Sequence, residues 1–121
     1  MNEMLTQEKS IYLQIAEMIE TDILRGILLE EERVPSTNDL AKQYAINPAT
    51  AAKGINILVE EGVLYKKRGI GMFVATGAKE NILMRRKDAF YENYVKKLLQ
   101  EAKSIGLNCE EVIAMIQEKG E

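Results

Sequence analysis

Ser36-Thr-Asn-Asp-Leu-Ala-Lys-Gln-Tyr-Ala-Ile-Asn-Pro-Ala-Thr-Ala-Ala-Lys-Gly-Ile-Asn-Ile-Leu-Val-Glu-Glu-Gly62, followed by Val63-Leu-Tyr-Lys-Lys-Arg-Gly-Ile-Gly-Met-Phe-Val74, is the stretch that decides the fold. Ser36 is suited to cap a helix. Asp39, three residues on, resembles a capping box with Asp where Glu or Gln is usual. Leu40, Ala41 and Tyr44 follow at helical spacing. Ala45-Ile46-Asn47 breaks this helix. Asn47 then caps a second helix, with Pro48 at its first position, where the missing N–H costs nothing. Ala51, Ile55, Leu58 and Val59 mark its inner side. Gly62 ends it in the left-handed conformation that glycine adopts without strain. Val63 to Lys66 alternate as a strand, Gly69-Ile70-Gly71 supplies a turn, and Met72-Phe73-Val74 returns. The sum is a helix-turn-helix with a β-hairpin wing.

The outer side of the second helix carries Ala49, Thr50, Ala52, Lys53 and Asn56, small or polar residues able to approach base edges. Lys66, Lys67 and Arg68 crowd the tip of the hairpin. A basic, glycine-turned ribbon beside a small-residue helix suits contact with a groove and its phosphates. In isolation three basic residues would be a solvated hairpin end, and their position after a helix-turn-helix favours DNA. The glycines of Gly69-Ile70-Gly71 lack the spacing and terminal Lys-Ser/Thr of a phosphate-binding loop.

Residues Ile11 to Val74 resemble the N-terminal domain of GntR-family transcription regulators. The resemblance rests on Ile11-Tyr12-Leu13-Gln14-Ile15, Gly26, Arg33-Val34-Pro35-Ser36, Leu40-Ala41, Thr50, Leu58, Glu61-Gly62 and Gly69-Ile70-Gly71-Met72-Phe73-Val74. Ile46-Asn47-Pro48-Ala49-Thr50, with a short helical tail after the wing, resembles the YtrA-type branch. The Pro-Gly-Asp that usually precedes the Arg of Arg-x-Pro-Ser is Glu30-Glu31-Glu32 here. Asn38, Pro48 and Ala52 stand where the wider family often has arginine, so readout is expected to lean on Thr50, Lys53, Asn56 and the wing. The resemblance implies a homodimeric, DNA-binding repressor. Regulators of this branch often repress transporter operons, frequently including their own gene.

Composition bounds the alternatives. The 121 residues suffice for one compact domain plus an appendage, and no apolar run approaches membrane-spanning length. The polar, acidic N-terminus does not read as a signal peptide, so a cytoplasmic location is expected. There is no histidine and one cysteine, Cys109, which excludes a His-based triad, a zinc finger and an internal disulfide. Cys109 reads as an inert residue near a helix start. Glu30-Glu31-Glu32 are adjacent in a loop and do not converge on a metal ion. No metal, cofactor or enzymatic activity is expected. The net charge of −3 looks wrong for a DNA binder, but it is unevenly spread. Residues 1–32 have two basic residues against eight acids, residues 33–74 six against three, and residues 75–121 eight of each. With screening over about 8 Å, the local field near the helix-turn-helix governs phosphate attraction.

In chain order, residues 1–9 are expected to fray. A helix capped by Ser10 should run to about Arg25, with Ile11, Ile15, Met18, Ile19 and Ile23 as its apolar stripe, closed by Gly26. Ala75-Thr76-Gly77-Ala78 reads as a hinge between residues 1–76, the DNA-binding domain, and residues 77–121, the tail. A long helix should follow from Lys79 to Ser104 and stop at Gly106. Asn108 and Glu111 then form a capping box for a last helix. Leu83, Phe90, Tyr91, Tyr94, Val95, Leu98 and Ile105, with Val112, Ile113 and Ile116, present more apolar surface than a helical hairpin can hide. Pairing with a second copy is the expected outcome, and packing on the head the plainer alternative. An effector pocket at Phe90, Tyr91 and Tyr94, shared between subunits, is a further open alternative.

The fold class expected is therefore mainly α with a small β-hairpin, a winged helix-turn-helix followed by a helical hairpin. The expected DNA-contact set is Arg33, Ser36, Thr37, Asn38, Asn47, Pro48, Ala49, Thr50, Lys53, Asn56, Lys67, Arg68 and Gly69. The Asn47–Glu61 helix would enter the major groove of an inverted-repeat operator. Ser36 and Thr37, with the free N–H groups at their helix start, would hold a phosphate. The rival class is a winged helix used only for protein contact, which weak retention on heparin would favour.

Overall fold

The computed structural model describes residues 10–120. The arm expected to fray at residues 1–9 lies outside them. The elements are α1 (Ile11–Leu24), α2 (Thr37–Tyr44), α3 (Pro48–Glu60), β1 (Leu64–Lys67), β2 (Gly71–Val74), α4 (Ala78–Phe90), a π-helical turn (Tyr91–Val95), α5 (Lys96–Ser104) and α6 (Cys109–Lys119). This is the expected mainly helical architecture with a two-stranded antiparallel hairpin.

The chain divides into two compact units, the boundary falling in sequence between Leu83 and Met84. In the first, α1 and α2 both pack on α3. Ile15, Ile19 and Ile23 from α1 join Leu40, Ile55 and Leu58 in a core closed by Val63, Leu64 and Val74 at the base of the wing. Ile11 is exposed, so the apolar stripe of α1 begins one turn later than the spacing predicts. Ser10 stands at the start of α1 but makes no side-chain capping bond. Ala78 and Ile82 are fully buried in the same core. The first turns of α4 therefore belong to the first unit, which runs to Leu83, seven residues past Thr76, where the DNA-binding domain is expected to end. Asn81 of α4 also donates its side-chain amide to the Glu61 carbonyl at 3.0 Å, capping the end of α3.

The close crossing of α1 and α3 is made by Gly54. A Cβ added there would lie 2.7 Å from the Tyr12 carbonyl oxygen and 3.1 Å from Ile15 Cβ. No side chain fits without moving a helix backbone.

The hairpin pairs Leu64 with Val74, Tyr65 with Phe73, Lys66 with Met72 and Lys67 with Gly71. Its turn is Arg68-Gly69-Ile70, closed by the Ile70 N–H to the Lys67 carbonyl at 2.9 Å, with Gly69 at φ +78°. Gly71, expected in the turn, is the first residue of β2. A bridge from Arg33 to Phe73 adds residues 31–34 to the outer edge of β2. The Glu31 and Val34 N–H groups bond the Val74 and Met72 carbonyls, at 2.7 and 2.9 Å.

In the second unit, α5 continues directly from the π-turn and packs on α6. Ala102 and Val112 are buried. Val112, expected on the dimer face, is thus interior to the tail, because α6 turns it toward α5. Leu83, also expected there, is half-buried in the first unit. Phe90, Tyr91, Tyr94, Leu98, Ile105, Ile113 and Ile116 are exposed, Tyr94 most at 65%, and Val95 is half-buried. The Asn108–Glu111 capping box forms as expected. Among the described residues no helix is long and apolar enough to cross a membrane.

Replacing Gly54 with Ala should destabilise the protein. Helix propensity alone would favour Ala by about 1 kcal/mol, whereas overpacking against a backbone carbonyl costs about 1–3 kcal/mol. A lowered Tm is expected in thermal unfolding, and a raised one would show that α1 yields at the crossing.

Candidate nucleic-acid interface

Helix α3 is divided cleanly by burial. Ala51, Gly54, Ile55 and Leu58 face the core, while Ala49, Lys53, Asn56 and Glu60 are exposed at steps of three and four. Thr50 is half-buried, at the border of the two faces. Asn47 caps the helix, its side-chain carbonyl accepting the Ala49 N–H at 2.8 Å, and Pro48 opens the first turn. Asn47 is itself exposed.

Lys53 is not a loose cation. Its ammonium lies 4.0 Å from the centre of the Tyr12 ring. The α1–α3 contact at Gly54 brings Tyr12 to this position, one residue along α3. Tyr12 is absent from the expected site residues. A glycine interrupting an otherwise helical pattern was the available signal of a close helix neighbour.

At the start of α2 the capping box is complete. The Ser36 hydroxyl accepts the Asp39 N–H at 3.0 Å, and Asp39 accepts the Ser36 N–H at 3.4 Å. The phosphate expected here would therefore approach a carboxylate as well as the N–H groups of Thr37 and Asn38. Beside it lies an open groove of about 510 Å³ lined by Ile27, Leu28, Glu32, Arg33, Val34, Pro35, Ser36 and Asp39. Ser36 is foremost a structural cap, and Thr37 and Asn38 offer the outward polar groups of this turn.

Arg33 lies along the β2 edge, its guanidinium over Gly71. A Cβ at Gly71 would stand 2.8 Å from Arg33 Nε, and Gly71 has φ +149°. Arg33 thus braces the wing from outside. On the wing itself, the Lys67 ammonium lies 4.2 Å from the Phe73 ring centre and 5.9 Å from that of Tyr65. Tyr65 and Phe73 form a cross-strand ring pair at 6.1 Å. Arg68 and Gly69 are exposed at the tip, with Ile70 beside them.

Of the three adjacent glutamates, Glu32 accepts the Leu29 N–H at 2.9 Å, and Glu31 is tied to distant segments. Its carboxylate accepts the Tyr65 phenol and, at 2.5 Å, the Thr76 hydroxyl. The Thr76 and Tyr65 hydrogen bonds, helped by the Lys67 charge, hold Glu31 below its ordinary value of 4.5. The bond to Glu31 raises the Tyr65 phenol above its usual 10.0. Local sequence cannot signal this cluster, because its members are 34 and 45 residues from Glu31.

Residues 11–74, over half the chain, match the family model for bacterial regulatory proteins of the gntR family. The chain belongs to the GntR family. This family is one of DNA-binding transcriptional regulators, and membership places the protein among regulators and not among enzymes. The HTH-type transcriptional repressor YtrA of Bacillus subtilis (strain 168) is 30% identical over 108 residues, 89% of this chain and 82% of that protein. A solved GntR-family transcriptional regulator from Bacteroides thetaiotaomicron is 40% identical, with a TM-score of 0.71 over 89% of this chain and 94% of that one. The AraR DNA-binding domain in complex with operator ORX1 is similar over 62% of this chain and 92% of that one, at 33% identity and a TM-score of 0.53.

Glu31 yields a pH test. A carboxylate whose folded value is depressed contributes stability above its unfolded value and loses it as pH falls through the folded one. Glu31→Gln should therefore lower Tm at neutral pH, and the gap to wild type should close as pH drops below 4.5. A gap constant across that range would mean that the lost contribution is not one of charge.

Proposed function

We propose that the protein is a homodimeric repressor that binds an inverted-repeat operator and controls a transporter-type operon including its own gene. The observation that carries this reading is the exposed face of α3, Ala49, Lys53 and Asn56 with Thr50 at its border, presented next to a basic wing tip by one compact unit in a chain of a DNA-binding family. Helix α3 enters the major groove. Thr50 and Asn56 contact bases or nearby sugar-phosphate, and Lys53 a guanine or a phosphate. Arg68, Lys67 and Gly69 lie along the minor groove or its flanking backbone. Asn38, Asn47, Pro48 and Ala49 complete the approach surface, with Arg33 at the wing root.

The tail pairs two copies. Tyr91 and Tyr94 on the π-turn, Leu98 on α5, Ile105 just after it, and Ile113 and Ile116 on α6 are exposed, an apolar surface of the kind that marks an interface. Two heads on a fixed frame add their phosphate contacts, with half-site centres about 10 bp or a multiple apart. YtrA carries the description of a repressor, and AraR is bound to an operator. Both support carrying these roles to this chain, and a cytoplasmic location fits them.

The deciding experiment is titration of the protein onto the DNA upstream of its own gene, across salt concentrations, with scrambled DNA as competitor. Specific binding with a log–log slope of several units is expected. Arg68→Ala should weaken binding to all sequences and flatten the slope by about one unit, whereas Thr50→Ala should change relative affinities among operator variants. Sequence-blind binding throughout would overturn the operator assignment. Leu98→Glu with Ile116→Glu should yield a monomer in light scattering. A dimer that persists would place the interface elsewhere.

A further inference from the structure

We propose that Glu31 is a positioning residue for DNA binding, a latch that holds the wing and the β2–α4 turn in reading position. The inference rests on the proposed DNA-reading role of the wing. Glu31 is one of two non-glycine residues with positive φ among those described, at +67°. Side chains avoid this backbone region, and a residue persists there only when its surroundings over-determine it. The surroundings here are one carboxylate and three chain segments. The Glu31 N–H bonds the Val74 carbonyl and fixes residues 31–34 to the outer edge of β2. Its carboxylate reaches Tyr65 on β1 and Thr76, two residues beyond β2. The same residue thus ties β2 through its backbone, and β1 and the turn that leads into α4 through its carboxylate.

The tie continues toward the tip. Tyr65 pairs with Phe73 across the hairpin, and Lys67, two residues after Tyr65 on the same face of β1, rests its ammonium over Phe73. The contacts run from Glu31 through Tyr65 and Phe73 to Lys67, next to Arg68. Four-residue strands in a two-stranded ribbon have little stability of their own. The wing therefore needs a fixed root if Lys67 and Arg68 are to meet phosphates at a defined place. The latch supplies that root from outside the hairpin.

Glu31→Gly separates the latch from the strain, because glycine accepts φ +67° and removes the carboxylate at once. Thr76→Val and Tyr65→Phe each remove one donor without touching the Glu31 backbone. In the full chain without DNA, amide exchange in β1 and β2 should be about tenfold faster in Glu31→Gly, with the core amides of α1 and α3 unchanged. The two donor variants should show smaller increases at the same amides. Wing exchange equal to wild type in all three variants would overturn the latch. On operator DNA, Glu31→Gly should bind several-fold more weakly with a flatter salt slope, and adding Arg68→Ala should then flatten it by less than in wild type. Wild-type affinity and slope in Glu31→Gly would overturn the positioning role. Should the wild type itself fail to bind any operator, the DNA-reading role falls, and the exchange rates alone still decide whether the carboxylate holds the wing.

Discussion

The head depends on one contact that contains no side chain on one partner. Where α1 crosses α3, Gly54 lets the Tyr12 carbonyl come closer than any Cβ would allow. Packed interiors do not yield gradually, so this distance fixes how α3 sits on its support. Ile15 fills the same contact from α1, and Ile55 and Leu58 lie buried beside it. With the inner face of α3 pinned, its outer face has a single presentation. The crossing also sets Tyr12 beneath Lys53, so the packing of the core and the placing of a surface cation come from the same approach.

Much of this was legible in local chemistry. The Ser36–Asp39 box, Asn47 with Pro48, Gly62 and the alternation of the hairpin each act over a few residues, and each forms at the position its chemistry implies. What could not be read was set by distant partners or by phase. Glu31 looked like one of three solvated acids, and Thr76 like part of a hinge. Val112 had the spacing of an outward face, and only the packing of α6 on α5 turns it inward. The π-turn has no sequence signature of the kind that caps possess. The candidate site fared likewise. The exposure of Ala49, Lys53 and Asn56 on the helix and of Lys67, Arg68 and Gly69 on the wing followed from local pattern, while the aromatic rings beneath Lys53 and Lys67 depended on the tertiary fold.

Those rings bear on how an acidic protein can hold a basic face. Lys53 sits over Tyr12, and Lys67 over Phe73. Each ring attracts the ammonium without neutralising it, as a carboxylate would. The positive charge stays available outward while the side chain loses part of its freedom. The Glu31 carboxylate, close to the wing, accepts two hydroxyl donors, with the Lys67 charge a lesser influence on it.

The turn at Tyr91–Val95 gives the tail a different property. A π-turn is an α-helix carrying one surplus residue. Each residue added to or taken from a helix rotates everything beyond it by about 100°. Side chains before the turn and those after it are therefore not bound to a single helical period. Phe90, the last residue of α4, and Tyr94, within the turn, bring their rings together at 5.5 Å. For a lineage of such proteins, this is a place where a one-codon change in length re-cuts the tail's surface while the helix stays unbroken. The head, with its crossing at Gly54, has no comparable freedom.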